Sequence, residues 1–470
     1  MSAPVDLLIV GAGPAGLAAA LRARAAGLDV LLVDEQPAPG GQIWRGIEAA
    51  TRRARGPDLG PDYRAGASLV ETFRASGVAY RPGTQIWQIE PGFVAYASSG
   101  GRSERIEARS VLVAHGAQER PVPFPGWTLP GVMTVGAAQI LLKTASQIPD
   151  APVWIAGCGP LVLLYARQLL DAGGEIAGIL DTAPPANRFA ALRHLPAALR
   201  NSGELLKGLG WLRDLRRAGV PILRGASGIE ALGGEALERI RYRSAAGESR
   251  TVEARVLLVH EGVVPSIHMP LLLGCAHAWR EDQMCFAPTL DAWGESSVER
   301  IFVAGDAAGV AGATAARLRG DIAALGIAAR LGVLDGAEAG RRATPLRAQL
   351  ARALAARPLL DALYRPRREI LTPADDTVVC RCEEVTAGQV RDAAKVGIPG
   401  PNQVKAFIRC GMGPCQGRQC GSTVSAILSQ AAGLSMDEIG FYRIRAPLKP
   451  LTLGEMATIE GARAPDVLQR

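Results

Sequence analysis

A strand that runs into glycines, then a helix, then a second strand closed by an acid leaves a chain few folds to choose from. Residues Val5–Val10 form a short continuous apolar run, the pattern of a strand buried in a parallel sheet. Gly11-Ala12-Gly13-Pro14-Ala15-Gly16 follows at once, and then a helix with Leu17, Ala20 and Leu21 on one face. Gly27 can cap that helix, residues 28–33 read as a second buried strand, and Asp34 and Glu35 end it. Each part has a cause. Gly11 permits the tight turn, Gly13 lets backbone reach a pyrophosphate, and Gly16 lets the helix pack on the strand with its N-terminus toward the phosphates. The acid accepts from ribose hydroxyls, and Asp34 is preferred because it directly follows the apolar run.

The pattern recurs in pieces downstream. Gly40, Gly41 and Gln42 offer backbone that could approach a flat ring. The stretch 48–76 reads as polar helix, and 78–80, 85–90 and 93–97 as hairpin strands. Residues 111–114 form another buried strand, ending in Ala114-His115-Gly116. At 153–156 a strand meets Gly157-Cys158-Gly159, and a later strand ends at Asp181, but Val162 stands where the third glycine belongs. A branched side chain there should hold the helix off the strand, so this second dinucleotide unit is expected to be degenerate. NAD(P) or another adenine nucleotide is doubtful in it. Residues 301–306 form a strand ending in Gly305-Asp306, where the aspartate can hold a ribityl hydroxyl ahead of a helix of small residues. One flavin domain, 1–115 plus 285–335, is thus split by a second domain at 116–284. A helical linker is expected at 336–376, with its arginine-rich helix over 344–364, then a cysteine module at 377–435 and an extended tail at 436–470.

Five of the eight cysteines fall in that module, at Cys380, Cys382, Cys410, Cys415 and Cys420. Four thiolates are what a tetrahedral zinc or a 2Fe–2S cluster requires. The Cys-x-Cys spacing beside flavin motifs points to iron–sulfur. A capping box begins at Thr386, and short helices joined by cysteine-bearing loops suit a module that metal ligation would stabilise. Eight cysteines in 470 residues are too few for a disulfide scaffold and point to a reducing compartment. The net charge of +7 is spread over the chain without a basic block, and aromatic residues are 5%, so no nucleic-acid partner is expected. The first apolar run flows into glycines and so reads as a strand, not a signal peptide. No apolar run reaches the roughly 18 residues a spanning helix needs, so the expectation is a cytoplasmic protein without a transmembrane segment. Peripheral membrane or quinone contact stays open.

Taken together, GAGPAG at 11–16, DEQPAPGGQI at 34–43, FPGWTLPGVMT at 124–134, GCGPL at 157–161, AGDAAGVAGA at 304–313, CRCEEVT at 380–386 and GMGPCQGRQC at 411–420 resemble one family nearly end to end. It comprises the flavin-containing alpha subunits of heteromeric, dye-linked amino- and imino-acid dehydrogenases, of the D-hydroxyproline dehydrogenase, opine oxidase and hydrogen cyanide synthase type. The resemblance implies an α/β flavoprotein with two dinucleotide-binding domains, like thioredoxin reductase, and a small helical C-terminal domain like bacterioferritin-associated ferredoxin. It implies FAD at Gly11, Gly13, Pro14, Ala15, Gly16, Asp34, Glu35, Gly41, Gln42, Ala114, Gly116, Gly305 and Asp306. It implies a 2Fe–2S cluster on Cys380, Cys382, Cys415 and Cys420. It further implies an FAD-dependent, amine-oxidising catalytic partner, and leaves open an FMN at a subunit interface, as well as a third small subunit. Two positions depart from the pattern. His115 replaces a customary threonine, and Cys410 is an additional cysteine that could compete with Cys415.

Three functions follow as expectations. The first is a subunit of an oxidoreductase for CH–NH donors, passing electrons from the partner's flavin to a quinone or other acceptor. No general base, Ser-His-Asp set or substrate acid clamp is evident in the chain, which suits chemistry performed next door. The second is a self-contained NAD(P)H-dependent reductase, which Gly157, Gly159 and Asp181 favour and Val162 opposes. The third is a colourless assembly subunit with structural zinc. A dithiol reductase is disfavoured because Cys158 lacks a CxxC partner, and Cys275 and Cys285 read as buried apolar cysteines.

Overall fold

The first apolar run is strand β1 (Val5–Val10), and it pairs in parallel with β2 (Val30–Val33) across the helix Pro14–Ala25. The fold is that of a computed structural model, which describes residues 3–52, 58–397 and 400–459. Strand β3 (Ala79–Arg81) adds to β2 in parallel, so the expected hairpin at 78–80 is instead a third parallel strand. The hairpin proper joins β4 (Gln85–Glu90) to β5 (Val94–Ser99). Strand β6 (Arg102–Val113) is twelve residues long and serves two roles. Its first half pairs antiparallel with β5, and its second half lies parallel between β1 and the short strand Ile301–Val303. The sheet therefore needs residues 301–303 to complete it, because that strand's backbone covers the far side of β6.

A second, five-stranded parallel sheet is built from Val132–Thr134, Val153–Gly157, Ile176–Asp181, Ile222–Arg224 and Val256–His260. Its neighbour is a three-stranded antiparallel sheet of Ser227–Leu232, Arg239–Arg243 and Ser249–Glu253. The long helix Ala313–Arg330 packs along Pro14–Ala25 on one face of the flavin-type sheet, using mostly Ala and Gly for close approach.

The connector differs from its expected bounds. A helix runs Gly336–Leu354, capped by the Asp335 side chain on Glu338 N–H, and a separate helix runs Arg357–Leu363. Helices Ala387–Lys395, Pro401–Ile408 and Gly421–Ala432 form the cysteine module, and the capping box of Thr386 with Gln389 is present. The module does not bury a core of its own. Val379, Val390, Val404, Val424 and Ile427 join one apolar cluster with Leu8, Val10, Val111 and Val113 of the flavin-type sheet.

The chain after 436 is not simply extended. It forms short helices at Met436–Ile439 and Leu453–Ala457, the second closed by a capping box of Thr452 and Glu455. Between them it crosses the β4–β6 flap, where Leu448 N–H donates to Trp87 O at 2.8 Å. Ser98 then donates to Glu455 at 2.5 Å, and Ser103 N–H to Thr458 Oγ1 at 2.7 Å. Residues 460–470 of the expected tail lie outside the described residues. No helix among the described residues is long and apolar enough to cross a membrane.

Candidate functional sites

Four glycines from three distant stretches present bare backbone to one place. Gly11 has φ +112°, and a Cβ on it would lie 2.7 Å from Ala114 O on the adjacent strand. A Cβ on Gly16 would lie 1.8 Å from Gly11 O, so helix Pro14–Ala25 packs on the strand only because residue 16 has none. Gly41, at φ +58°, packs on Gly13, and a Cβ on it would lie 2.8 Å from Gly13 Cα. Gly305 closes a third side, where a Cβ would stand 2.9 Å from that of Ala15. Pro14 opens the helix where its missing N–H costs nothing, and the helix N-terminus favours an anion. This cradle fits the pyrophosphate of FAD.

The two acids after β2 part company. Asp34 is buried and accepts from Ala12 N–H at 2.5 Å and Gln36 N–H at 2.7 Å. Burial pushes its pKa up, against those two N–H bonds and the charges of Arg45 and Lys449. Glu35 faces outward and pairs with Lys449, a tail residue that nothing local in the sequence connects to this site. Asp306 accepts from Ala311 N–H at 2.9 Å and Gly312 N–H at 3.1 Å, so it shapes the loop that enters helix Ala313–Arg330. Gly116 takes φ +71° with open space around it. The Gln42 carbonyl accepts from Lys143 Nζ at 3.1 Å. Lys143 is buried, and burial with the nearby Arg45 charge lowers its pKa to about 7. Sequence reasoning missed this lysine, although its i,i+4 spacing from Gln139, which also accepts from it, was a legible signal.

The cysteines divide into two groups. Cys380 ends strand Val378–Cys380, and Cys420 caps helix Gly421–Ala432. Their sulfurs and that of Cys410 all lie within 4.8 Å of one another, and all three are buried. Hydrogen bonds from Cys410 and Cys420 hold the Cys380 thiol far below its usual value, and the same contacts push Cys420 up. Cys382, exposed, makes a hydrogen-bonded pair with the half-buried Cys415. Gly413 permits that pair, since a Cβ there would sit 2.2 Å from Cys382 Cβ. Of the four expected ligands, Cys380 and Cys420 thus lie together with Cys410 in the buried trio, and Cys382 and Cys415 form a separate pair. An all-thiol donor set suits a soft metal or an iron–sulfur cluster.

The cysteine module is seamed to the 116–284 stretch through residues 118, 127 and 268. Gln118 Nε2 donates to Arg418 O at 3.1 Å, and His268 Nε2 lies 3.1 Å from Gln416 O. Trp127 Nε1 donates to Val378 O at 2.7 Å, with the Arg381 guanidinium 5.3 Å from its ring centre. His115 lies beside this seam. Its ring nitrogens are shielded and have no hydrogen-bond partner among the described residues, and burial with the Arg418 charge lowers its pKa to about 4.

The second glycine turn faces a groove of about 210 Å³ lined by Gly157, Gly159, Val162, Asp181 and Tyr364. That is below the roughly 300–1,000 Å³ of pockets that take a drug-sized ligand. The connector fills part of it. Cys158 Sγ is 3.5 Å from Tyr364 O, Asn187 Nδ2 donates to Arg365 O at 2.8 Å, and Arg367 Nε donates to Thr182 O at 3.0 Å.

Comparison with known proteins agrees with this geometry. Residues 5–320 match the family described as pyridine nucleotide-disulphide oxidoreductase, and residues 378–430 match the BFD-like [2Fe-2S] binding domain. The chain is 46% identical over 457 residues to an opine oxidase subunit of Rhizobium meliloti (strain 1021), covering 97% of this chain and 98% of the relative. It is 33% identical to hydrogen cyanide synthase subunit HcnB of Pseudomonas aeruginosa, covering 94% and 96%. The solved L-proline dehydrogenase from P. horikoshii has the same fold, with a TM-score of 0.69 at 20% identity over 97% of this chain and 79% of that one. The chain therefore belongs to the pyridine nucleotide-disulphide oxidoreductase family, as an FAD flavoprotein that carries a BFD-like 2Fe–2S domain at its C-terminal end.

Proposed function

We propose that this chain is the electron-relaying subunit of a heteromeric dehydrogenase for secondary amines of the amino- and imino-acid class, with the amine oxidised on a partner chain. The observation that carries this reading is the apolar cluster that the cysteine module shares with Leu8, Val10, Val111 and Val113 of the flavin-type sheet, with Cys382 exposed. The names of the relatives, opine oxidase and hydrogen cyanide synthase subunits, support an oxidoreductase with a partner chain. When bound, FAD supplies two-electron chemistry and the cluster supplies one-electron exchange with a quinone or other acceptor.

The chain's own residues divide the work. Gly11, Gly13, Gly41 and Gly305 let three stretches of chain close on one another, and the helix beginning at Pro14 would set its N–H groups toward a pyrophosphate there. Asp34 and Glu35 serve the ribose end, and Asp306 orders the loop that faces the ribityl chain. Cys380 and Cys420, which are buried, and Cys382 and Cys415, which are more exposed, would hold the cluster.

A second reading, an NAD(P)H-driven reductase, draws on Gly157, Gly159 and Asp181, but Val162 and the connector at 363–367 crowd the groove it needs. An anaerobic visible spectrum of the purified chain separates the two. Flavin and 2Fe–2S bands that NADH leaves unmoved, and that amine substrate bleaches only when the partner is co-expressed, are the expected result. Rapid bleaching by NADH, or amine turnover by the chain alone, would overturn the relay reading.

A further inference from the structure

The ligand set Cys380, Cys382, Cys415 and Cys420 uses two thiols on the buried side of the cluster and leaves Cys410 over, although its sulfur is within 4.8 Å of both Cys380 and Cys420. The spare thiol has a companion. Tyr442, delivered by the chain beyond helix Met436–Ile439, is 1% exposed. Its hydroxyl oxygen stands 3.6 Å from Cys410 Sγ and 3.9 Å from Cys420 Sγ. Two glycines of the cysteine loop make the slot for its ring. A Cβ on Gly411 would lie 2.5 Å from Tyr442 Cζ, and one on Gly417 would lie 2.3 Å from Cδ2. The Lys405 ammonium covers the ring at 4.7 Å from its centre. A ring gripped in this way cannot turn its hydroxyl elsewhere.

A cysteine that ligates iron does so as a thiolate and has no proton to give. With Cys420 a ligand, one arrangement satisfies all three groups: the Cys410 S–H donates to Tyr442 Oη, and the Tyr442 O–H donates to the Cys420 thiolate. We propose that Cys410 and Tyr442 form an ordered hydrogen-bond chain that ends on Cys420 and raises the reduction potential of the cluster. An O–H donor on a ligand sulfur offsets negative charge and so favours the reduced, more negative state, which is one of the protein's levers on such clusters. Tyr442 acts on the ligand, and Cys410 is a positioning residue that fixes which way the hydroxyl points. The inference rests on the ligand set Cys380, Cys382, Cys415 and Cys420.

The test uses the full chain with Tyr442→Phe, Cys410→Ala and the double substitution, read by iron and sulfide content and by potentiometric titration followed by EPR. All three should keep the parent's iron and sulfide. Tyr442→Phe should shift the midpoint to more negative potential, Cys410→Ala should shift it less, and the double variant should match Tyr442→Phe. A Tyr442→Phe midpoint equal to the parent's, with full iron, would overturn the chain while leaving the ligand set intact. Loss of iron in Cys410→Ala with retention in Cys415→Ser would overturn the ligand set itself. If Tyr442→Phe binds less iron, resonance Raman of the parent in deuterated water decides. Iron–thiolate stretches that move on exchange support the hydrogen bond, and stretches that stay fixed refute it.

Discussion

Acid should loosen the seam between the 116–284 stretch and the cysteine loop, and His268 should set how steeply. Its ring is 5% exposed, packs edge-on against Phe441 at 5.9 Å, and meets the Gln416 carbonyl at 3.1 Å. Burial lowers its pKa from 6.5 to about 3, helped by the charges of Arg418, His115 and Lys405 and opposed by the Gln416 hydrogen bond. Folded, the ring stays neutral down to that value, while the unfolded chain takes up a proton near 6.5. The unfolded state therefore binds more protons in the window between, so stability is complete above it and is lost as pH falls through it. The loss runs at about 1.4 kcal/mol per pH unit, or about 2 kcal/mol between pH 6.5 and pH 5. His268→Gln keeps a donor for Gln416 O and removes the titration. Hydrogen exchange of the backbone amides at 411–421 reads the opening energy of the seam directly. Near pH 8 the variant should lie within about 1 kcal/mol of the parent, the worth of one hydrogen bond. Near pH 5 it should have gained about 2 kcal/mol relative to the parent. A difference between variant and parent that is the same at both pH values would refute the argument.

Gly16→Ala puts a methyl 1.8 Å from Gly11 O. The strand–helix turn must open at a cost of about 1–3 kcal/mol, and the chain should purify with little FAD absorbance. Lys449→Met removes the ion pair to Glu35, both side chains being over a third exposed, so flavin affinity should weaken by no more than about fivefold in a fluorescence titration. Cys382→Ser and Cys415→Ser should each lose the cluster's iron while keeping FAD, and Cys158→Ser should keep both by iron assay and visible spectrum.

The glycine turn was legible because everything that shapes it is local. Gly11, Gly13 and Gly16 meet strand and helix within a dozen residues. The short reach from Val5 to Leu17 holds the whole argument, and so β1 and its helix fall where the pattern puts them. Strand β6 was legible only at 111–113, because its first half is polar and exposed on alternate residues and its partner β5 sets its length. Strand β3 reads like part of a hairpin, but its partner is β2, nearly fifty residues earlier, and no turn chemistry announces that. The connector's start did have a signal, Asp335 with Glu338 three residues on, which a reading focused on arginines passed over. Pro345 inside that helix also argues for a break that does not occur. The fifth thiol was visible as an extra cysteine. Which side of the site it joins was not, because that depends on how three loops fold together. His268, Tyr442 and Lys449 reach their places through contacts across the whole chain.

The stretch from Tyr442 to Lys449 touches both cofactor sites within eight residues: the hydroxyl behind the buried thiols, the ammonium at Glu35. Because Tyr442 fills the slot between Gly411 and Gly417, the same short strap ties the packing of the cysteine loop to the charge beside Glu35, so freeing its ring should loosen both ends together.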